Sequence, residues 1–297
     1  MTRYPVKKSS KQPHPFQDFV SLTKPRINLL SLLMACGGIA LAPGSVPGET
    51  WAWALLGVGL AVGSANILNM VLERKTDALM ARTAMRPIPA GRVSPDAAII
   101  MATILGAASQ GVLLLKVNAI TALLGAFALV TYAFVYTPLK RRTPAALLVG
   151  TLPGAAPPLM GWTAATGQID APGLALFGIL VIWQIPHFLA IAVYSAPEYK
   201  NAGILVVPLV RGERIAILQT IAWSSLLIPM SLLLIPLAIA SWVYGFAAIL
   251  GGGWLLWLSL QGLHTDDTDA WARRFFKATL IYLPALTGIL ILDQFWN

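Results

Sequence analysis

Charge is scarce in this sequence: of 297 residues only 11% are Asp, Glu, Lys or Arg, against 57% hydrophobic. A water-soluble domain carries about a quarter of its residues as charges, so a soluble globular fold is excluded. Cysteine is nearly missing too. Cys36 stands alone within an apolar run, which leaves no internal disulfide and no CxxC or Cys/His cluster for structural zinc. It reads as a small buried packing residue. The patterns GxxxxGK[ST], HExxH and GxSxG are absent, which removes P-loop ATPase, zinc hydrolase and serine hydrolase readings. No polar block is long enough to build a second domain.

What fills the chain instead is a succession of apolar runs, each near the ~20 residues that cross a bilayer. They predict nine membrane helices, over 27–43, 51–72, 96–115, 118–136, 144–165, 171–194, 215–239, 242–261 and 276–295. The fold class is therefore all-α, a polytopic membrane helix bundle. The formal net charge of +9 invites a nucleic-acid reading, but 20 of the 21 basic residues fall in the N-terminal stretch and alternate loops. Only Lys116 falls on the other side. Positive loops stay cytoplasmic, so the charge orients the protein in its membrane with the N-terminus inside, and no nucleic acid is expected. Residues 1–26, with Arg3, Lys7, Lys8 and Lys11 among prolines, read as a basic cytoplasmic tail touching anionic lipid. The tail has no apolar core, so it does not read as a cleavable secretory signal. Residues 27–297 read as one transmembrane domain.

The two loop sets differ in chemistry. Outer loops around 43–50, 116–118 and 167–172 are short and poor in reactive groups, whereas the inner ones hold nearly all of them. Gly59 and Gly63, and Gly150 and Gly154, make small-xxx-small pairs that let helices approach. Pro153, Pro157, Pro158, Pro186, Pro229, Pro236 and Pro284 are expected to kink their spans. Such breaks survive in a membrane where protein or a cavity accepts the freed carbonyls, which predicts a central cavity opening to the cytoplasmic side. Asp266-Asp267-Thr268-Asp269 reads as a helix N-terminal cap or a solvated loop.

The run NILNMVLERKTD, residues 66–77, carries the densest chemistry. Asn69, Glu73 and Asp77 recur every four residues, so on a helix they form one slowly drifting stripe. An amide and two carboxylates are hard oxygen donors suited to Mg²⁺, which is completed by water and substrate phosphate. A solvated helix end balanced by Arg74 and Lys75 would show the same spacing. The following Arg82 and Arg86, again four apart and able to fork onto phosphate oxygens, favour a diphosphate site.

The stretch ALMARTAMRPIPAGRVSP, residues 78–95, resembles the signature of the UbiA superfamily of intramembrane prenyltransferases, most of all its haem O synthase (protohaem IX farnesyltransferase) branch. The likeness extends to LTKPR (22–26), YTPLKR (136–141), GAAPPLMGW (154–162), WQIPHFLA (183–190) and EYKNAG (198–203). The superfamily's NDxxDxxxD stands here with Met70 at its second place and Glu73 at the middle acid. Quinone-making relatives usually carry a second Asp-rich motif; here Glu198 is the one acid in that region.

The resemblance implies transfer of a farnesyl group from farnesyl diphosphate to a haem B vinyl group, giving haem O. Asn69, Glu73, Asp77, Arg82 and Arg86 would be catalytic, the first three as Mg²⁺ ligands. Lys24, Arg26, Tyr136, Lys140, Arg141, His187, Glu198 and Tyr199 would bind substrate, with Tyr132, Tyr136 and Trp183 lining the pocket. His187 is also suspect on physics alone, since an intramembrane ionisable side chain usually faces the bundle interior. The partners expected are both substrates and membrane lipid. Docking of a haem O-modifying enzyme or terminal oxidase assembly factors stays open. So do two other functions, a quinone-type prenyltransferase and a transporter built on broken helices.

Overall fold

The structure, a computed structural model, describes residues 15–294; the expectations for Arg3, Lys7, Lys8 and Lys11 fall outside them. Among the described residues all regular structure is helical. In order these are α1 (Pro15–Leu22), α2 (Pro25–Ala40), α3 (Gly48–Asp77) and α4 (Pro95–Val112), the last prolonged by a π turn, Leu113–Val117. α5 (Ala119–Val130) passes through a π segment, Thr131–Tyr136, into the short α6 (Thr137–Leu139). Then come α7 (Ala146–Thr166), α8 (Ala171–Tyr194), α9 (Ala196–Ala202) and α10 (Val207–Arg211). α11 (Glu213–Leu232), α12 (Trp242–Gln261) and α13 (Thr268–Asp293) complete the bundle.

Local sequence explains the boundaries. Ser94, Asn118, Asp170 and Asp267 each accept a hydrogen bond from a backbone N–H of the following first turn. Asp267 thereby fills the capping role expected of its acidic run. Pro95 and Pro172 sit in the first turn, where no N–H is needed.

Among the described residues seven helices are long and apolar enough to cross a membrane, so the count of nine is not confirmed. α2 has only 16 residues. α7 has 21 but dilutes its apolarity with prolines, glycines and threonines. The predicted span 215–239 also ends early: α11 stops at Leu232, and Pro236 lies in the turns beyond it rather than kinking a helix. Pro153, Pro157, Pro158, Pro186, Pro229 and Pro284 do lie inside helices. Large apolar side chains such as Ile100, Ile104, Leu115, Leu123, Phe246 and Trp257 face outward. So wide an apolar surface suits lipid rather than water.

α7 is the pivot, packing on α2, α5 and α8, while α8 packs on α11 and α13. The tightest seam joins α2 to α7. A Cβ on Gly38 would strike the Pro158 carbonyl, and one on Gly161 the Ala35 carbonyl, so two backbones meet there directly. The expected glycines do other things. Gly59 meets α2 side chains and Gly63 meets Asn28 of α2 and Thr23 just before it, all at ordinary separation, while Gly150 and Gly154 make room for the Tyr136 ring and the Gln184 amide. Cys36 is free and half-buried, where a small buried packing residue was expected.

Candidate active site at the mouth of an apolar cavity

A cavity of about 530 Å³ lies between α2, α3, the π segment, α7, α8 and α13. Its volume is in the range of small-molecule sites. Ile27 and Leu30 of α2 and Leu280 of α13 line it yet are about half-exposed, so it also opens sideways between those helices.

The helix α3 runs unbroken to Asp77 and therefore presents Asn69, Glu73 and Asp77 along one stripe, all on the cavity wall. Each oxygen donor already meets a cation. Lys24 Nζ donates to Asn69 Oδ1 at 3.0 Å, Lys140 Nζ to Glu73 Oε1 at 2.8 Å, and Arg86 Nη1 to Asp77 Oδ2 at 2.7 Å. The stripe is also braced internally, because Asn69 Nδ2 donates to Glu73 Oε2 at 2.9 Å and to Thr137 Oγ1 at 3.0 Å. Thr137 in turn donates to the Tyr132 carbonyl at 2.8 Å, which ties the π segment to the acids.

These cations are placed by unusual backbone. Lys24, just before Pro25, has φ 51°, a left-handed conformation that a non-glycine residue adopts rarely and at a cost of about 1–3 kcal/mol. Such strain at the α1–α2 corner persists where the surroundings fix it; here the side chain is held on Asn69. Burial, then the positive charges of Arg86 and Lys140, push the Lys24 pKa down to about 7. For Lys140 burial also favours the neutral form, but Tyr136 and Glu73 outweigh it and hold the pKa above the usual lysine value. The ammonium sits 4.4 Å from the Tyr136 ring centroid, a cation–π distance.

Arg82 and Arg86 come from successive turns after α3 rather than one helix, so their spacing of four is not a helical face. Both still line the cavity. Arg82 lies 3.5 Å from Glu198, donates to Tyr199 Oη at 3.1 Å, and covers that ring. Burial, the largest influence, raises the Tyr199 phenol pKa. Tyr199 is on the wall; Glu198 is beside it through Arg82. Arg26 and Arg141 are exposed and not on the cavity wall.

Below the mouth the wall becomes apolar and aromatic. Tyr132, Tyr136, Trp183 and His187 line it. His187 lies roughly two turns, ~10 Å, from the C-terminal end of α8 at Tyr194. The imidazole stacks on Trp183 at 4.7 Å and touches Phe276 and Phe188. Three polar residues here escaped the sequence reading: Thr137, Gln184 and Thr279. The first two lie within quoted motifs, YTPLKR and WQIPHFLA, and Gln184 spends its amide on the Thr151 and Leu180 carbonyls at 3.2 and 3.0 Å. Thr279 has no sequence signal, as it sits in the apolar ATLIYL run.

Among the described residues there is no cluster of three His, Cys, Asp or Glu side chains that would cage a metal unaided. Two carboxylates and an amide form an incomplete, all-oxygen set. That set fits a Mg²⁺ ion whose shell is finished by substrate phosphate and water.

An integral membrane helix bundle, with an apolar cavity closed at one end by interleaved acids and cations, is the layout of an enzyme acting on amphipathic anions. A family model described as the UbiA prenyltransferase family matches residues 31–281, and the chain belongs to that family. It is 48% identical over 256 residues to a protoheme IX farnesyltransferase of Sorangium cellulosum (strain So ce56), covering 86% of this chain and 91% of that one. It is 46% identical over 277 residues to the protoheme IX farnesyltransferase of Myxococcus xanthus (strain DK1622), covering 93% and 94%. In fold it matches a solved structure concerned with digeranylgeranylglyceryl phosphate synthase at a TM-score of 0.81, with 14% identity and 94% and 98% coverage. A UbiA homologue from Archaeoglobus fulgidus, solved with GPP and Mg²⁺ bound, superposes at 0.67, again 14% identical, with 92% and 99% coverage.

Proposed function

We propose that this protein transfers a farnesyl group from farnesyl diphosphate to a vinyl group of haem B, forming haem O and releasing diphosphate. The observation that carries the reading is the mouth itself, where Lys24, Arg86 and Lys140 sit on the three oxygens of the Asn69–Glu73–Asp77 stripe above an apolar cavity. The choice of haem is supported by relatives at 40–48% identity over most of the chain that are named protoheme IX farnesyltransferases.

In this reading Asn69, Glu73 and Asp77 hold Mg²⁺, which when bound neutralises charge building on the departing diphosphate. Lys24, Arg86 and Lys140 turn from the stripe toward phosphate oxygens, joined by Arg82. The allylic C–O bond breaks heterolytically, its electron pair leaving with diphosphate. The farnesyl cation lies in the apolar cavity, where water is excluded and the π faces of Tyr132, Tyr136 and Trp183 stabilise positive charge. The terminal vinyl carbon attacks it, leaving a cation beside the pyrrole; water adds there and loses a proton. Arg26 and Arg141, being exposed, are left to meet haem propionates or lipid phosphates at the surface.

Orientation follows from charge. The loops that form the mouth are the basic ones, while Lys116 lies against Trp53 at the far end of α3. The positive-inside rule then puts the mouth in the cytoplasm of a bacterial inner membrane. Residues 27–297 act as one catalytic domain, preceded by the basic stretch 1–26.

The test is purified protein in detergent with farnesyl diphosphate, supplied with haem or with a phenolic acid, each with and without Mg²⁺. Diphosphate release and haem O are both read, the latter by chromatography and mass. Release that needs haem and Mg²⁺ together is expected. Prenylation of the phenolic acid with haem left intact would refute the assignment.

A further inference from the structure

Thr279 on α13 faces His187 on α8, and their geometry fixes a proton. The Thr279 hydroxyl oxygen lies 2.6 Å from the Phe276 carbonyl and 2.8 Å from His187 Nδ1. A hydroxyl has one proton to give, and a carbonyl oxygen only accepts. The proton of Thr279 is therefore committed to Phe276, and toward His187 the hydroxyl oxygen is the acceptor. Nδ1 must then carry a hydrogen, which in a neutral imidazole leaves the lone pair on Nε2.

Nε2 has no hydrogen-bond partner among the described residues, nor is it among the enclosed polar atoms that lack one. His187 lines the cavity, and with Nδ1 held on Thr279 the opposite edge of the ring, carrying Nε2, is the one left to meet it. The ring cannot swing to share its lone pair elsewhere, because Trp183 stacks on it at 4.7 Å and Phe276 lies at 4.9 Å. Thr279 steadies that stack as well, since its carbonyl accepts from Trp183 Nε1 at 3.1 Å. The result is a rigid imidazole with a bare nitrogen aimed into an otherwise apolar space.

We propose that His187 ligates the iron of the haem acceptor through Nε2, with Thr279 as the positioning residue that sets the tautomer; this rests on the haem reading above. An imidazole whose other nitrogen donates a hydrogen bond is a better-oriented and more basic ligand, and histidine is a common axial ligand of haem iron. The consequence for the reaction is orientational. Haem carries its propionates along one edge and its vinyl groups away from it. With the iron tethered about two helical turns below the mouth, the ring is held at a fixed depth and cannot turn freely in the cavity, which limits the poses in which a vinyl group meets the allylic carbon.

The test is spectroscopic and needs no turnover: purified protein titrated with haem in the absence of prenyl diphosphate, followed by visible absorption and resonance Raman. The wild type shows a histidine-ligated spectrum with an iron–histidine stretch when reduced. His187→Ala loses the stretch and regains a ligated spectrum on adding free imidazole. Thr279→Val weakens haem binding by about 10–100-fold, as loss of an outer partner typically does, and lowers the stretch, while Thr279→Ser restores both. A His187→Ala spectrum identical to wild type, with haem bound in each, overturns the ligation and leaves the acceptor assignment standing. Thr279→Val indistinguishable from wild type overturns the positioning role. Failure of the wild type to bind haem at all overturns the acceptor assignment as well.

Discussion

Asp77→Asn keeps the shape of a buried side chain while deleting its charge, and so separates two jobs that carboxylate can do. Asp77 is 1% exposed and Arg86 27%, with 2.7 Å between Oδ2 and Nη1. At an effective dielectric of about 20, two unit charges at that distance attract by about 6 kcal/mol before desolvation is counted. Breaking a buried pair costs about 3–5 kcal/mol, mostly for the stranded partner. Arg86 is a quarter exposed and can turn to water, so a loss of about 2–3 kcal/mol is expected, read as a lowered unfolding midpoint in detergent. Arg86→Gln in the same background removes the stranded cation, and the double variant should return to within about 1 kcal/mol of wild type. Turnover should behave differently. If Asp77 is a metal ligand and Arg86 a phosphate partner, the single variant loses about 10²–10³-fold in diphosphate release, by analogy with other preorganised charge-stabilising groups. The double variant then stays inactive although stable. Recovery of both stability and turnover in the double variant would reduce the pair to a structural ion pair and refute the argument.

Lys140→Met, which removes the cation from Glu73 and the Tyr136 ring, should raise the KM for farnesyl diphosphate about 10–100-fold, since hydrogen bonds to charged groups contribute ~1.5–3 kcal/mol. Gly161→Ala pushes a methyl into the Ala35 carbonyl and should cost at least ~1–3 kcal/mol of stability; Gly253→Ala, in an open helical position, should instead raise the unfolding temperature slightly. In a Cys36→Ser background, cysteines placed at Lys116 and at Arg141 should react with a membrane-impermeant thiol reagent from opposite sides of sealed vesicles, and labelling from one side would break the orientation.

Much of this was legible in the sequence because it depends on local periodicity. A stripe every four residues lands on one face of any helix, so Asn69, Glu73 and Asp77 come together without knowledge of the neighbours. Aromatic and histidine positions in α8 were readable because an apolar helix tolerates few polar side chains, and those must face inward. What escaped depends on how one helix sits beside another. Gly38 and Gly161 are unremarked glycines until α2 and α7 are brought into register. Thr279 gains meaning only across from His187. The π segment at Thr131–Tyr136 widens one turn, and its effect on where Tyr132 and Tyr136 point has no signature in composition. Arg82 and Arg86 kept their place at the mouth while losing the helical spacing that suggested them. Each predicted apolar run falls on a helix, but only seven helices among the described residues are long and apolar enough to span: α2 is short, α11 stops at Leu232, and length and apolarity diverge in α7, which is wrapped by protein and tolerates threonine and proline.

The lysine and arginine groups lying on the acidic stripe give the resting mouth its own counter-ions. A lone divalent ion entering there has to evict an ammonium or a guanidinium, and a lone pyrophosphate has to strip a buried carboxylate of its match. In the proposed reaction the two arriving together would let each resident cation and carboxylate trade one partner for another, with none left bare. Exchange of that kind would make loading a joint event and leave each component, by itself, a poor competitor for the pocket.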